Sequence, residues 1–232
     1  MLATLQGEEV HMDTLGNIGF RQLFHQLVLL KVPDIKNLFV GDLKAPDGFD
    51  AVLTYPYIDR MAGLTFDVLA PARFDDERVF GDMALLQVQN RRMMLRRGGV
   101  PDETLVKIPR DVDALLETYA EHIAMIDEHY RDNEGVLATR RAEALDHLRS
   151  RDYPDDVRVL LADKDCPNEE VWVRLMGIEE PGYPYGWLMN EPYSDFAVHK
   201  GDVLRLGITK DANDEFLLFA TDESLMRGVE AY

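Results

Sequence analysis

The sequence predicts an α+β fold in two parts. A mixed α/β region with an αα-hairpin is expected over residues 1–152. A small β-barrel-like or curled-sheet domain is expected over residues 153–232. Three observations carry this. Residues 111–130 show the clearest helical periodicity in the chain, and a second helical stretch follows closely. Short apolar runs between residues 35 and 69 are separated by turn formers. After Pro154 the texture changes to short strands punctuated by Gly, Pro and Asp.

Residues 14–31 read as a helix that Thr14 or Asn17 could cap. Phe20, Leu23, Phe24, Leu27 and Leu30 recur at helical spacing, and Val32-Pro33 stops it. Three strands are expected next, Ile35–Val40, Ala51–Tyr57 and Leu64–Leu69. Gly41-Asp42, Pro46-Asp47-Gly48 and Ala62-Gly63 part them. Val79, Met83, Leu86, Met93 and Met94 fit one face of a helix over 76–97 that Gly98-Gly99 would end, although Ala84–Gln89 could be a strand. Thr104–Ile108 reads as a strand.

Asp111 stands at a cap position. Beyond it Val112, Leu115, Leu116, Tyr119, Ile123, Ile126 and Tyr130 share one arc. Asn133 and Gly135 interrupt. A second helix is expected over 136–150 with Leu137, Ala144, Leu145 and Leu148 inward, which gives the αα-hairpin. The later strands are expected at Val157–Leu161, Val171–Ile178, Tyr185–Met189, Val203–Ile208 and Glu215–Ala220.

Composition narrows the function classes. The chain has 232 residues, one cysteine and a net charge of −18. A lone cysteine, Cys166, rules out an intramolecular disulfide and fits a reducing compartment. The first residues lack the basic start and apolar run of a signal peptide. A cytoplasmic protein without a membrane span is expected. The charge repels nucleic acid and anionic membranes at long range and favours a basic protein partner.

The common catalytic and cofactor motifs are missing. There is no phosphate-binding glycine loop, no G-x-S-x-G elbow, no H-E-x-x-H and no paired-cysteine zinc motif. No cofactor and no metal are expected. His122 and His129 lie seven apart on the central helix, too far along the axis to share one ion readily. Arg91, Arg92, Arg96 and Arg97 form the strongest basic cluster, and the abundant carboxylates of the chain itself are its expected partners.

The stretch from Glu169 to about Ile208 carries Glu169-Glu170-Val171-Trp172-Val173. Gly186-Trp187-Leu188-Met189-Asn190-Glu191-Pro192 follows, and then Gly201-Asp202-Val203. This resembles the YegJ-like family of small bacterial domains of unknown function. Its pattern is roughly Glu-x-x-Trp-Val, Gly-x-Leu-x-Asn-x-Pro and Gly-Asp before an apolar strand. The resemblance covers roughly a sixth of the chain and implies no activity. The residues also have a plain reading. Val171 and Val173 alternate with Trp172 and Arg174 as a half-buried strand requires, and Gly186 suits a close backbone approach.

The candidate binding residues are Trp187, Asn190, Glu191, Tyr193, His199 and Asp202. Trp187, Tyr183, Tyr185 and Tyr193 crowd one hairpin, a composition suited to protein recognition. The expected function is a non-catalytic protein-binding or regulatory module of the immunity type. The alternative is a hydrolase that uses His199 with Asp195 or Asp202 as a general base.

Overall fold

Four consecutive apolar residues, Leu27 to Leu30, set the architecture of the first half. Leu27 and Leu29 enter one core, while Val28 and Leu30 enter another. Only a strand buried on both faces distributes neighbours in this way. The computed structural model describes residues 13–32, 47–79, 93–164 and 166–226. It divides into two units, Met1–Tyr130 and Arg131–Tyr232, and the fold class is α+β.

The first unit runs β1 (Asp13–Thr14), α1 (Phe20–Leu23), β2 (Val28–Lys31), β3 (Ala51–Asp59), β4 (Gly63–Ala72), β5 (Met94–Arg96), β6 (Leu105–Lys107) and α2 (Val112–His129). The six strands form one antiparallel sheet in the order β1-β6-β2-β3-β4-β5. One face packs on Leu15, Leu23 and the aromatic rings of Phe20 and Phe24. The other packs on α2 through Tyr119 and Ile126. Burial on both sides explains why β3 and β4 read as near-continuous apolar runs rather than alternating ones.

Two sequence expectations fail here. The helix read over 14–31 is instead β1, a turn, the short α1 and then β2. Of the apolar residues that suggested a helical face, Phe20, Leu23 and Phe24 pack on one core from α1 while Leu27 and Leu30 enter opposite cores, and His25, with φ 56, turns the chain out of α1. The helix read over 76–97 fails at both described ends. Val79 forms an isolated bridge with Ala72, and Met94–Arg96 is β5. Residues 80–92 lie outside the described residues, as does the strand read at Ile35–Val40.

The strands expected at Ala51–Tyr57, Leu64–Leu69 and Thr104–Ile108 appear as β3, β4 and β6. The central helix appears as α2. Its Asp111 makes no side-chain cap hydrogen bond, and Leu116 lies exposed rather than inward.

The second unit contains α3 (Glu134–Arg141), a 3-10 helix at Glu143–Leu148, β7 (Asp156–Leu161), β8 (Glu169–Glu179), β9 (Tyr183–Leu188), β10 (Val203–Arg205), β11 (Gly207–Lys210) and β12 (Phe216–Ala220). Asn133 caps α3 by accepting from the Val136 N–H. The six strands make a curled, half-barrel sheet in the order β10-β9-β8-β7-β12-β11. It is mixed, because β12 runs parallel to β7 while every other pair is antiparallel. Leu145 and Leu148 of the 3-10 helix, with Phe196 and Val198 of the 189–202 loop, cover its core of Val157, Val159, Val171 and Val173.

The single helix expected over 136–150 is thus two elements. The first buries Val136, Thr139 and Arg140, whereas Leu137 stays half-buried. α2 lies on the first sheet and α3 on β8 of the second.

Three arginines fix the entry into the second sheet. Arg140 grips Asp155 through Nε and Nη2 at 2.8 and 2.7 Å, and its Nη1 donates to Asp132 at 2.6 Å. Arg174 holds Asp156 in the same side-on way at 2.6 and 2.9 Å. Arg149 donates to the carbonyls of Pro154 and Thr139. Burial works against the charge of Arg140, but the Asp155 hydrogen bonds and the Asp155 and Asp132 charges hold its pKa above the ordinary value. Among the described residues no helix is long and apolar enough to cross a membrane.

Candidate functional site

The loop between β9 and β10 carries most of the sequence-predicted site. Its backbone is fixed by side chains from within the same unit. The Glu169 carboxylate, at the start of β8, accepts from the Tyr193 N–H at 2.8 and 2.9 Å and from the Ser194 N–H at 3.1 Å. Asn190 Oδ1 accepts from the Trp172 N–H at 2.8 Å. Glu191 accepts from the Lys200 N–H at 2.9 Å, and Asp202 from the His199 N–H at 2.7 Å. The acidic and amide residues of the predicted set are therefore loop fasteners, since each satisfies a main-chain donor that a surface loop would otherwise leave to water.

The fastening leaves some groups presented. Tyr193 is 98% exposed although its backbone is held, and Trp172 is 37% exposed on β8. Trp187 stands on β9 opposite Arg174 and Val203 and is half-buried. Pro192 and the turn at Gly201, with φ 97, complete the stiff frame.

His199 is exposed, and its Nδ1 lies 2.8 Å from Glu191 Oε1. This hydrogen bond, with the Glu191 charge behind it, raises the imidazole pKa above the usual histidine value. The same bond, with the Lys200 N–H, lowers that of Glu191. The His199 ring meets Glu191 and not the aspartates expected beside it. Asp202 meets the backbone of His199 rather than its ring, and the Asp195 carboxylate makes no hydrogen bond among the described residues. Asp195 offers its carbonyl to Cys166 Sγ at 3.6 Å.

A second polar constellation, in the first unit, escapes sequence reasoning. Asp67 sits in the middle of β4 with its side chain wholly buried, and His122 of α2 places Nε2 2.9 Å from its Oδ1. The carboxylate oxygen accepts, so the ring donates through Nε2, and Nδ1 is its other polar atom. His129 instead stacks edge-on against Tyr130. Nearby, Tyr55 donates to Asp127 at 3.0 and 3.2 Å, with His25 Nε2 3.7 Å from the same carboxylate. Burial, then the Asp127 charge and hydrogen bond, push the Tyr55 phenol well above its ordinary pKa. Burial alone pushes Tyr119 up to about 12.

The sequence signal for this constellation is Asp67 itself, the one acid in the run from Leu64 to Ala70. A charge in a strand buried on both faces requires a partner.

Of the arginine cluster, Arg96 pairs with Asp59 and Arg97 with Asp102, so both meet carboxylates of their own unit. Arg91 and Arg92 lie outside the described residues. No group of metal-ligating side chains occurs among the described residues. Comparisons with family models, with curated proteins and with solved structures find no match for this chain.

Proposed function

We propose that the chain is a protein-binding or regulatory module of the immunity type, and that the β9–β10 loop of its second unit is the recognition surface. One observation carries the reading. Glu169 takes both the Tyr193 and Ser194 N–H groups, which holds an almost fully exposed tyrosine on a fixed backbone. A prearranged aromatic side chain binds without the ordering cost that a flexible loop incurs, and tyrosine is among the residues that dominate binding energy. Trp172 extends the apolar surface.

The chain's charge of −18 supports a basic partner met through long-range attraction. The residues that resemble the YegJ-like pattern, Glu169, Asn190 and Asp202, are the ones that fasten this loop. Membership of that family is part of the proposal, with loop display as the shared design. A cytoplasmic setting belongs to it as well.

The test is a paired capture from host lysate with the wild-type chain and with Tyr193→Ala, each at low and at high salt. The proposal expects a stoichiometric basic protein retained by the wild type at low salt, released at high salt and lost from the variant. Identical retention by both chains, or none by either, overturns it.

A further inference from the structure

Arg96 is held more firmly than its place on the last described strand of the first sheet requires. Its Nη1 donates to Asp59 Oδ2 at 3.2 Å and to Thr65 Oγ1. Both anchors are themselves locked. Asp59 Oδ1 accepts from the Met61 and Ala62 N–H groups at 2.9 and 3.1 Å. The Thr65 hydroxyl donates to the Gly63 carbonyl at 3.0 Å and is wholly buried. The guanidinium therefore cannot swing.

The other edge of that guanidinium, Nε and Nη2, has no partner among the described residues. Two buried arginines of this protein show what that edge can hold. Arg140 and Arg174 each employ Nε and Nη2 to take the two oxygens of a carboxylate. The two-donor edge matches two oxygens on one centre, whether carboxylate or phosphate.

Strand register puts a second open group on the same face. Arg96 is opposite Thr65, and Met94 is opposite Asp67. Thr65 and Asp67 are two residues apart on β4, so they share a face about 7 Å apart. Asp67 carries His122, whose Nδ1 has no partner among the described residues. Tyr57, opposite Thr65, and Met94 lie on this face and meet through the Tyr57 hydroxyl and Met94 Sδ at 3.2 Å.

We propose that this face of the first sheet is a site for a small oxyanion group, a carboxylate or a phosphate, gripped by the open edge of Arg96 and contacted by a His122 Nδ1–H while Nε2–H stays on Asp67. The site is separate from the recognition loop of the second unit and does not depend on it. Asp67 is a positioning residue here, since it acts through His122.

The experiment is a nuclear magnetic resonance titration of the isotope-labelled full chain with inorganic phosphate and, separately, with acetate. Sodium chloride at matched ionic strength is the control. The Arg96 Nε–H and His122 ring signals are followed. The expected result is a saturable shift of both with at least one of the two anions. Binding should weaken about tenfold in Arg96→Lys, which keeps the charge but removes the two-donor edge.

Saturation by phosphate alone assigns a phosphate ester, and saturation by acetate alone a carboxylate. Either upholds the site. Shifts that merely follow the chloride control, or saturation unchanged in Arg96→Lys, overturn it. Should the variant fail to fold, the wild-type titration decides the matter alone.

Discussion

Arg140 and Asp155 meet through two hydrogen bonds of 2.8 and 2.7 Å with both side chains at least nineteen-twentieths buried. Taking such charges out of water costs several kcal/mol per ion, and the double contact, with Asp132 on the remaining nitrogen, offsets it. Removing one partner leaves the others buried and unmatched. Arg140→Met is expected to destabilise the second unit by about 3–5 kcal/mol. Urea unfolding followed by near-ultraviolet circular dichroism checks this, and a loss under about 1 kcal/mol would show the triad to be dispensable.

The Glu169 fastener can be released without touching a core residue. Glu169→Ala removes the acceptor for the Tyr193 and Ser194 N–H groups. The expected cost is about 1–2 kcal/mol, confined to the loop. Amide hydrogen exchange at residues 193 and 194 should accelerate while exchange in β7 and β8 stays unchanged. Equal protection in the variant would mean that the loop is held by something else.

The Glu191–His199 pair sets a pH window. The His199 pKa is raised above 6.5 in the folded chain. Its contribution is therefore fully present below that ordinary value and fades as pH rises through the raised one. The Glu191 pKa is lowered below 4.5, so its contribution is present above that value and fades as pH falls through the lowered one. The fastening is complete between the two ordinary values. Proton resonance titration of the His199 ring should give a midpoint above 6.5 in the wild type. In Glu191→Gln it should return toward the ordinary histidine value. An unchanged midpoint in the variant would remove Glu191 as the cause.

Gly186 packs where no side chain fits. A Cβ there would run into the carbonyl oxygen of Arg174 on the neighbouring strand. Gly186→Ala should cost roughly 1–3 kcal/mol, the range for forced overpacking, because the obstacle is backbone and cannot rotate away. Thermal unfolding measures it, and wild-type stability in the variant would show that β9 can shift.

α2 was legible because one of its faces meets a core and the other meets water, so its apolar residues repeat with the helical period. β2 was not. Val28, Leu29 and Leu30 serve two cores, and a run such as Leu27 to Leu30 has no period that separates strand from helix. Four of the strands read after Pro154 appear as β7, β8, β9 and β12 because Gly, Pro and Asp mark their ends, whereas the single strand read at Val203–Ile208 is β10 and β11 on opposite edges of the sheet, and the helical stretch that packs on β8 lies before that change of texture.

The candidate loop was legible as a set of residues but not as a set of roles. Glu191, Asn190 and Asp202 look like chemistry in the sequence, yet each of them also takes a main-chain amide, a partner that carries no sequence signature. His122 was sought as a metal ligand along its own helix, whereas its partner is Asp67, fifty-five positions earlier on a strand.

The parallel pairing of β12 with β7 also governs how the second unit can fail. β7 begins that sheet in the chain, yet one of its two edges is covered only when Phe219 and Ala220 arrive beside Leu160 and Leu161. Until then a row of unpaired amides and carbonyls is open to any extended chain nearby. A break in the polypeptide ahead of Phe216 would therefore do more than trim a terminus. It would turn the middle of the half-barrel sheet into a template for aggregation.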